Sequence, residues 1–222
     1  MSYLYKSPIK MPRGTHYGSD YWIFYSLKLG RTVKVYSMLE YANAISLEMN
    51  PVVKYYCEQP AKVSSIRNDK TVNAIFDFWV LYNDDSNEFQ EVKYSSELEG
   101  DDEASIRSQK QIEIQKEWCI DNNKNYRIVT ERELFCGPFY FHNLTLLHSH
   151  LLRYDTNPKL ELSTLLSYLK EGVRTIEEIK EKNFVPDEKI FSVLALLYYK
   201  GSIEINLDAR PLDNLTEVMY AQ

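Results

Sequence analysis

The side chains best suited to chemistry are Asp77, Glu91 and Lys93. The apolar run from Val72 to Tyr82 predicts one strand with Asp77 in its middle, where a carboxylate is costly to bury as a charge unless it is paired or bound to a cation. Residues two apart on a strand share a face, so Glu91 and Lys93 project together. If the strands on either side of the polar loop 83–87 pair as a hairpin, Asp77 reaches the same place. The pattern predicts a metal site with an ammonium group beside it.

Carboxylate oxygens are the ligands that Mg²⁺ and Mn²⁺ prefer, and such sites leave positions open for phosphate. A lysine beside them stabilises charge that develops on a scissile phosphate, so the residues favour metal-assisted phosphodiester hydrolysis. Glu40 is a further candidate ligand. It lies three residues after Ser37, which is also the spacing of a helix capping box, and both roles stay open. Glu91 with Lys93 is equally consistent with an ion pair on a strand face.

Length and composition describe an ordinary globular protein. The chain has 222 residues, of which 44% are apolar, enough for one medium domain or two small ones. Its three cysteines form no CxxC pair, which argues against a disulfide framework or a zinc cluster. The amino-terminal residues lack the apolar run of a signal peptide, and no stretch approaches the length of a membrane span. We therefore expect a cytoplasmic protein without a membrane partner.

The net charge of −6 argues against nonspecific coating of nucleic acid, which depends on lysine and arginine. Residues 1–36 differ from the rest, because they contain six basic residues and one acid. A DNA-facing surface is expected to draw on this segment, although a solvated basic arm without a partner explains the charge equally well. The six candidate DNA-binding residues are Lys6, Lys10, Arg13, Lys28, Arg31 and Lys34.

Hydrophobic periodicity predicts a mixed α/β core. A helix from Ser37 to Met49 ends before Pro51, and a second helix covers 104–121. The order is a helix, three strands, a helix and a strand, or αβββαβ. After a connecting helix that begins at Asn143, residues 159–222 predict three helices and a β-hairpin, as in a winged helix. Residues 158–222 contain 8 basic and 11 acidic side chains, which favours docking to a protein over contact with DNA.

Glu40, the sequence Phe76-Asp77-Phe78 and the sequence Gln90-Glu91-Val92-Lys93, on the αβββαβ order, resemble the PD-(D/E)xK nuclease fold. More narrowly, the chain resembles the TnsA family of transposon-end endonucleases. Phe76 replaces the proline for which the fold is named. Composition and charge predict a basic N-terminal arm with extended segments over residues 1–36, and the resemblance implies a restriction-endonuclease-like core over 37–142. A connecting helix over 143–158 and a winged-helix domain over 159–222 would follow.

Carried over to this sequence, the resemblance implies that Glu40, Asp77, Glu91 and Lys93 are catalytic. Glu40, Asp77 and Glu91 would bind Mg²⁺, for which Mn²⁺ substitutes. The implied activity is cleavage of the 5′ ends of a transposon by an endonuclease subunit in the prokaryotic cytoplasm. The implied partners are transposon-end DNA, a DDE-type transposase subunit and an AAA+ ATPase at the carboxyl-terminal domain. The alternatives are a stand-alone restriction-type or repair nuclease and a non-catalytic regulator that binds DNA or protein.

Overall fold

The structure is a computed structural model that describes residues 3–10, 20–67, 70–153 and 159–221. The chain divides into two compact units. Unit 1 comprises Met1–Glu48 and Val53–Leu134, and unit 2 comprises Met49–Val52 and Phe135–Gln222. In the described ranges, no helix has the length and apolar character needed to cross a membrane.

Unit 1 contains both strands and helices. It opens with an antiparallel pair of strands, which a helix follows. Four of the remaining strands form one sheet and two form a separate ribbon. The elements in chain order are β1 (Trp22–Ser26), β2 (Arg31–Val35), α1 (Met38–Met49), β3 (Val53–Glu58), β4 (Lys62–Arg67), β5 (Lys70–Ile75), β6 (Phe78–Tyr82), β7 (Asn87–Val92), α2 (Ser95–Glu99), α3 (Glu103–Asp121), β8 (Asn125–Val129) and α4 (Glu131–Leu134).

The central sheet has the strand order β3-β6-β7-β8. The predicted hairpin across loop 83–87 is confirmed, because β6 and β7 are antiparallel with Phe78 opposite Gln90. Strand β8 returns parallel to β7, as the helix between them requires. The αβββαβ order is therefore present as α1, β3, β6, β7, α3 and β8. The β4–β5 ribbon, which forms a separate two-stranded sheet, is inserted between β3 and β6.

The two faces of the sheet pack against different helices. On one face, Tyr56 donates a hydrogen bond to Glu48 of α1, and Gln90 accepts one from Asn43 of the same helix. On the other face, residues of α3 complete an apolar core. The members of this core are Tyr55, Cys57, Val63, Ala74, Phe76, Trp79, Phe89, Ile114 and Cys119. Burial of these side chains is the main favourable term in holding α3 on its side of the sheet.

The prediction that Asp77 lies in the middle of one long strand is wrong. The apolar run divides into β5 and β6, and Asp77 lies at the break between them. The opposing strand breaks at Gln59 and Pro60, where Gln59 has a φ of 36° and proline has no amide for a ladder hydrogen bond. The Gln59 amide donates to the carbonyl of Asp77 at 2.8 Å. Because of this break, the Asp77 side chain does not follow the alternation between the two faces that a regular strand shows.

Unit 2 contains helices and a small antiparallel sheet. The elements are α5 (Tyr140–Leu152), α6 (Lys159–Leu169), β9 (Arg174–Thr175), α7 (Ile176–Glu181), α8 (Ile190–Tyr199), β10 (Ile203–Ile205) and β11 (Glu217–Tyr220). The sheet has the strand order β10-β11-β9. A single-turn 3₁₀ helix, Asp187–Lys189, precedes α8. Thr175 and Glu178 form a complete capping box at the start of α7.

Helix α8 is surrounded by the rest of unit 2, and every one of its residues is buried or partly buried. Helix α5 packs along it, with His150 stacked on Phe191 at 5.3 Å between ring centroids. Asn143, which is fully buried in α5, donates to the carbonyls of Leu207 and Arg210 and accepts from the amide of Leu212. This side chain therefore fixes the segment that follows β10.

Candidate active site

Glu91 is the most enclosed of the predicted site residues, with no exposed side-chain surface. It lies near the end of β7 and faces α3. Its Oε1 accepts from Gln111 at 2.7 Å and from Lys93 at 2.9 Å, and its Oε2 accepts from Gln115 at 2.7 Å. Tyr126 in turn donates to Gln115 at 2.8 Å. The predicted contact between Glu91 and Lys93 is therefore present, and α3 holds the carboxylate in one orientation.

Asp77 lies beside Glu91, at the ends of β6 and β7. Its Oδ2 accepts from the amide of Val92 at 2.7 Å. Burial raises the pKa of Asp77, although the charge of Lys93 opposes the shift. Burial and then the charge of Asp77 raise the pKa of Glu91 to about 8. A carboxylate whose ionised form is disfavoured by burial and by a neighbouring carboxylate, as in Glu91, gains stability from a nearby cation.

Lys93 follows the last residue of β7, and its amide continues the pairing with β8 by donating to Val129 at 3.0 Å. Its side chain is 17% exposed, and its ammonium contacts Glu91. Burial opposes the charged form, but the charges of Glu91 and Asp77 prevail and raise the pKa of Lys93. The lysine therefore carries its proton at neutral pH and supplies a fixed positive charge.

Glu40 approaches from the other side of the sheet, in the first turn of α1. Its amide donates to the Ser37 hydroxyl at 3.0 Å, which is half of the predicted capping box. Its carboxylate reaches the amide of Tyr36 at 3.1 Å instead of the Ser37 amide, and accepts from Gln59 at 3.3 Å. Burial and then the charge of Asp77 raise the pKa of Glu40 to about 7. Capping and membership of the acidic cluster coexist in this residue.

The donor set suits a hard divalent cation, because carboxylates with raised pKa values gain when a positive ion replaces their protons. Over the described residues, however, no group of three acidic, histidine or cysteine side chains is arranged to hold a metal ion. Glu40 and Glu91 reach Asp77 from opposite faces of the sheet, and the oxygens of Glu91 already have three donors. The three-ligand set of Glu40, Asp77 and Glu91 stays a prediction.

The predicted DNA-binding residues have different environments. Lys6, Lys10 and Lys34 are exposed, and Arg13 lies outside the described residues. The Lys28 ammonium donates to the carbonyl of Val53 at 2.8 Å.

Arg31 makes two hydrogen bonds of 2.6 Å to Glu58, which is 1% exposed. Lys28 and Arg31 thus have partners inside unit 1, which a count of charges along the sequence does not reveal.

Sequence reasoning missed the two glutamines that hold Glu91. Gln111 and Gln115 are four residues apart, so they lie on the same face of α3. Gln115 is fully buried, and a buried amide is normally hydrogen-bonded. A polar pair at helical spacing among the apolar positions Ile112 and Ile114 is the signal that could have identified them.

Residues 50–131 match the family model described as the TnsA-like endonuclease N-terminal domain. The match includes Asp77, Glu91 and Lys93, the two glutamines and Tyr126, whereas Glu40 lies before it. Comparison with curated protein sequences gives no match. A domain of this family indicates a nuclease of the transposition type, with DNA as its substrate. Its mixed α/β structure is consistent with the restriction-endonuclease-like fold. The resemblance to the TnsA-like endonuclease family is therefore confirmed over residues 50–131 of this chain.

Proposed function

We propose that the protein is a metal-dependent endonuclease subunit of a heteromeric cut-and-paste transposase and hydrolyses the 5′ ends of the element. The observation that supports this proposal most strongly is the grouping of Asp77, Glu91 and Lys93 inside the region that matches the TnsA-like endonuclease family. An ion pair with a structural role alone does not require the second buried carboxylate at Asp77.

Asp77 would hold a Mg²⁺ ion together with Glu40 or Glu91, and Mn²⁺ would substitute. When bound, such an ion polarises the phosphoryl oxygens and lowers the pKa of water. The protein's own contribution is orientation and charge. The Val92 amide fixes Asp77, the α3 glutamines fix Glu91, and Glu91 directs the ammonium of Lys93. A preorganised ammonium stabilises negative charge on the phosphate in the transition state without reorganisation at the moment of reaction.

Contact with DNA by the amino-terminal segment is proposed for Lys6, Lys10, Arg13 and Lys34. Exposure supports this role for Lys6, Lys10 and Lys34. Lys28 and Arg31 are left out of this proposal because they have partners inside unit 1. Phosphate neutralisation by a few lysines gives salt-dependent binding, so DNA affinity should fall steeply as ionic strength rises.

Unit 2 is proposed to be a winged helix that docks to a protein partner. The order of α6, β9, α7, α8, β10 and β11, together with the three-stranded sheet, supports this assignment. Helix α8 occupies the position of a recognition helix, but its packing against α5 leaves no exposed face for a major groove. The proposed partners are an AAA+ ATPase at this unit and a DDE-type transposase subunit within the assembly.

Metal binding and cleavage together test the nuclease proposal. Crystals soaked in Mn²⁺ are expected to show an anomalous peak bound by Asp77 and by Glu40 or Glu91. In the assembly reconstituted with its transposase and ATPase subunits, Asp77→Asn should abolish both Mn²⁺ binding and 5′-end cleavage. Lys93→Met should retain Mn²⁺ binding and reduce cleavage by about 100-fold or more.

Glu113→Gln is the matched control, because Glu113 is an exposed acid of α3. It should change neither metal binding nor cleavage. Thermal unfolding of each variant separates loss of fold from loss of chemistry. A site without Mn²⁺, or cleavage that persists in Asp77→Asn, would contradict the proposal.

A further inference from the structure

The β1–β2 hairpin presents one buried face and one exposed face. Its buried face includes Trp22 and Phe24, whose rings pack against Tyr41 of α1 at 4.7 and 6.0 Å between centroids. On the exposed face of β1, Ile23 is 53% exposed and Tyr25 is 48% exposed. Large apolar and aromatic side chains that are aligned on a strand and exposed to water are typical of a binding surface.

The opposite strand adds polar groups to this face. Lys34 lies directly across from Ile23, and Thr32 lies across from Tyr25. At the end of the hairpin, the ring of Tyr21, which is 53% exposed, contacts that of Tyr36 at 5.7 Å between centroids. We call the six residues the tyrosine face: Tyr21, Ile23, Tyr25, Thr32, Lys34 and Tyr36. Among these described residues the one formal charge is the positive charge of Lys34.

The tyrosine face is held rigidly on unit 1. At the turn after β1, the carboxylate of Glu48 accepts from the Ser26 hydroxyl at 2.5 Å and from the amide of Leu27 at 2.9 Å. At the start of β2, Arg31 forms an ion pair with Glu58. A surface fixed in this way loses little conformational entropy when a ligand binds.

The tyrosine face also continues into the candidate active site. Tyr36 ends the face, and its amide donates to the Glu40 carboxylate at 3.1 Å. The charge of Asp77 acts on Glu40, so Glu40 connects the aromatic rings of the tyrosine face to the acidic cluster. A nucleic acid strand whose phosphate lies at Asp77 and Lys93 has to leave the site past one of its edges, and this edge carries rings and an ammonium group.

Aromatic rings beside a lysine are the chemistry that binds single-stranded nucleic acid, because each base presents a π-face for stacking and each phosphate a negative charge. In a duplex those faces are covered by neighbouring base pairs. We propose that the tyrosine face binds unpaired nucleotides of the DNA strand next to the scissile phosphate, so that the enzyme acts on DNA that is locally opened at the cut. This inference rests on the proposed nuclease function and adds the state of its substrate.

Fluorescence anisotropy of the full chain with labelled DNA tests this inference. Every protein carries Asp77→Asn so that no DNA is cut. Two DNAs of the same sequence are compared, a fully paired duplex and a fork with six unpaired nucleotides on one strand. The parent protein is expected to bind the fork more tightly. Tyr21→Ala and Tyr25→Ala should each weaken fork binding by about 10-fold and leave duplex binding unchanged.

Two controls separate stacking from other effects. Tyr25→Phe keeps the ring and should retain fork binding. Ile66→Ala removes another exposed side chain, 78% exposed on β4, and should change nothing. Equal affinity for fork and duplex, or tyrosine variants that bind the fork like the parent, would overturn the inference. So would tyrosine variants that weaken both DNAs equally.

A protein occupant has a different signature. If the tyrosine face joins two copies of this chain, Tyr25→Ala lowers the mass measured by light scattering and leaves fork affinity unchanged, and the inference is overturned. The nuclease proposal fails separately, through absence of Mn²⁺ from Asp77, which does not depend on the tyrosine face.

Discussion

The ion pair between Arg31 and Glu58 is expected to stabilise unit 1, and its removal gives a sharp test. Arg31 is a basic residue that the sequence predicts as a DNA contact, but its guanidinium makes two 2.6 Å bonds to a carboxylate that is 1% exposed. Removing one partner of a buried ion pair costs about 3–5 kcal/mol, because the remaining charge is left in a poorly solvated site. The Arg31 side chain is 23% exposed, so for Arg31→Ala we expect a loss of about 3 kcal/mol.

Urea denaturation monitored by tryptophan fluorescence measures this loss. All three tryptophans, at positions 22, 79 and 118, lie in unit 1, so the signal reports on the unit that contains the pair. A double-mutant cycle with Glu58→Gln isolates the interaction. Glu58→Gln removes the charge and keeps the shape, so Arg31→Ala should cost at least about 1.5 kcal/mol less in that background than in the wild type.

Lys34→Ala is the matched control, because Lys34 is an exposed cation on the same strand. Its effect on unfolding should stay within about 0.5 kcal/mol. An Arg31→Ala loss below about 1 kcal/mol, or additive losses in the cycle, would refute the reasoning about the buried pair. If Arg31→Ala instead weakens DNA binding without changing stability, the residue is a DNA contact, as the sequence predicts.

Three further predictions concern other buried polar groups. Burial lowers the pKa of Lys28 to about 8, so the folded state loses this proton first. Wild-type stability should therefore rise relative to Lys28→Met by up to roughly 3 kcal/mol between pH 7 and pH 10, measured by urea denaturation, and a constant difference would contradict this. Asn143→Ala removes three hydrogen bonds and should destabilise unit 2 by about 2–4 kcal/mol in thermal melts followed by circular dichroism, whereas a loss under about 1 kcal/mol would rule out the anchoring role. Gln115→Leu removes one of the three donors to Glu91 and the acceptor of the Tyr126 hydroxyl, and it should destabilise unit 1 by about 1–3 kcal/mol in urea denaturation, with an unchanged free energy of unfolding as the refuting result.

The sequence predicts those parts of the site that depend on local spacing. Glu91 and Lys93 share a face because strand residues alternate, and their contact is present. The hairpin between β6 and β7 follows from two apolar runs around a polar loop, and it is also present. Glu40 is found in the first turn of a helix because Ser37 and Pro51 mark the ends of that helix.

Features that depend on contacts distant in sequence were not predicted. The run from Val72 to Tyr82 reads as one strand, and its division depends on the break at Gln59 and Pro60 on the facing strand. The environments of Lys28 and Arg31 likewise depend on partners in β3, more than twenty residues away. Periodicity measures which face of an element is apolar, but it does not indicate which distant polar group will meet that face.

The hydrogen bonds around the acidic cluster distinguish the roles of its carboxylates. A cation that binds Glu91 has to compete with Lys93, Gln111 and Gln115 for the carboxylate oxygens, and three charge-assisted bonds at 2.7–2.9 Å are costly to displace.

Glu40 is held by longer contacts of 3.1 and 3.3 Å from Tyr36 and Gln59, so its carboxylate is freer to turn toward Asp77. The same network gives Glu91 a task that needs no metal, because it holds the Lys93 ammonium at the edge of the site. We therefore expect Asp77 and Glu40 to hold the proposed cation, and Lys93, positioned by Glu91, to contact the proposed phosphate.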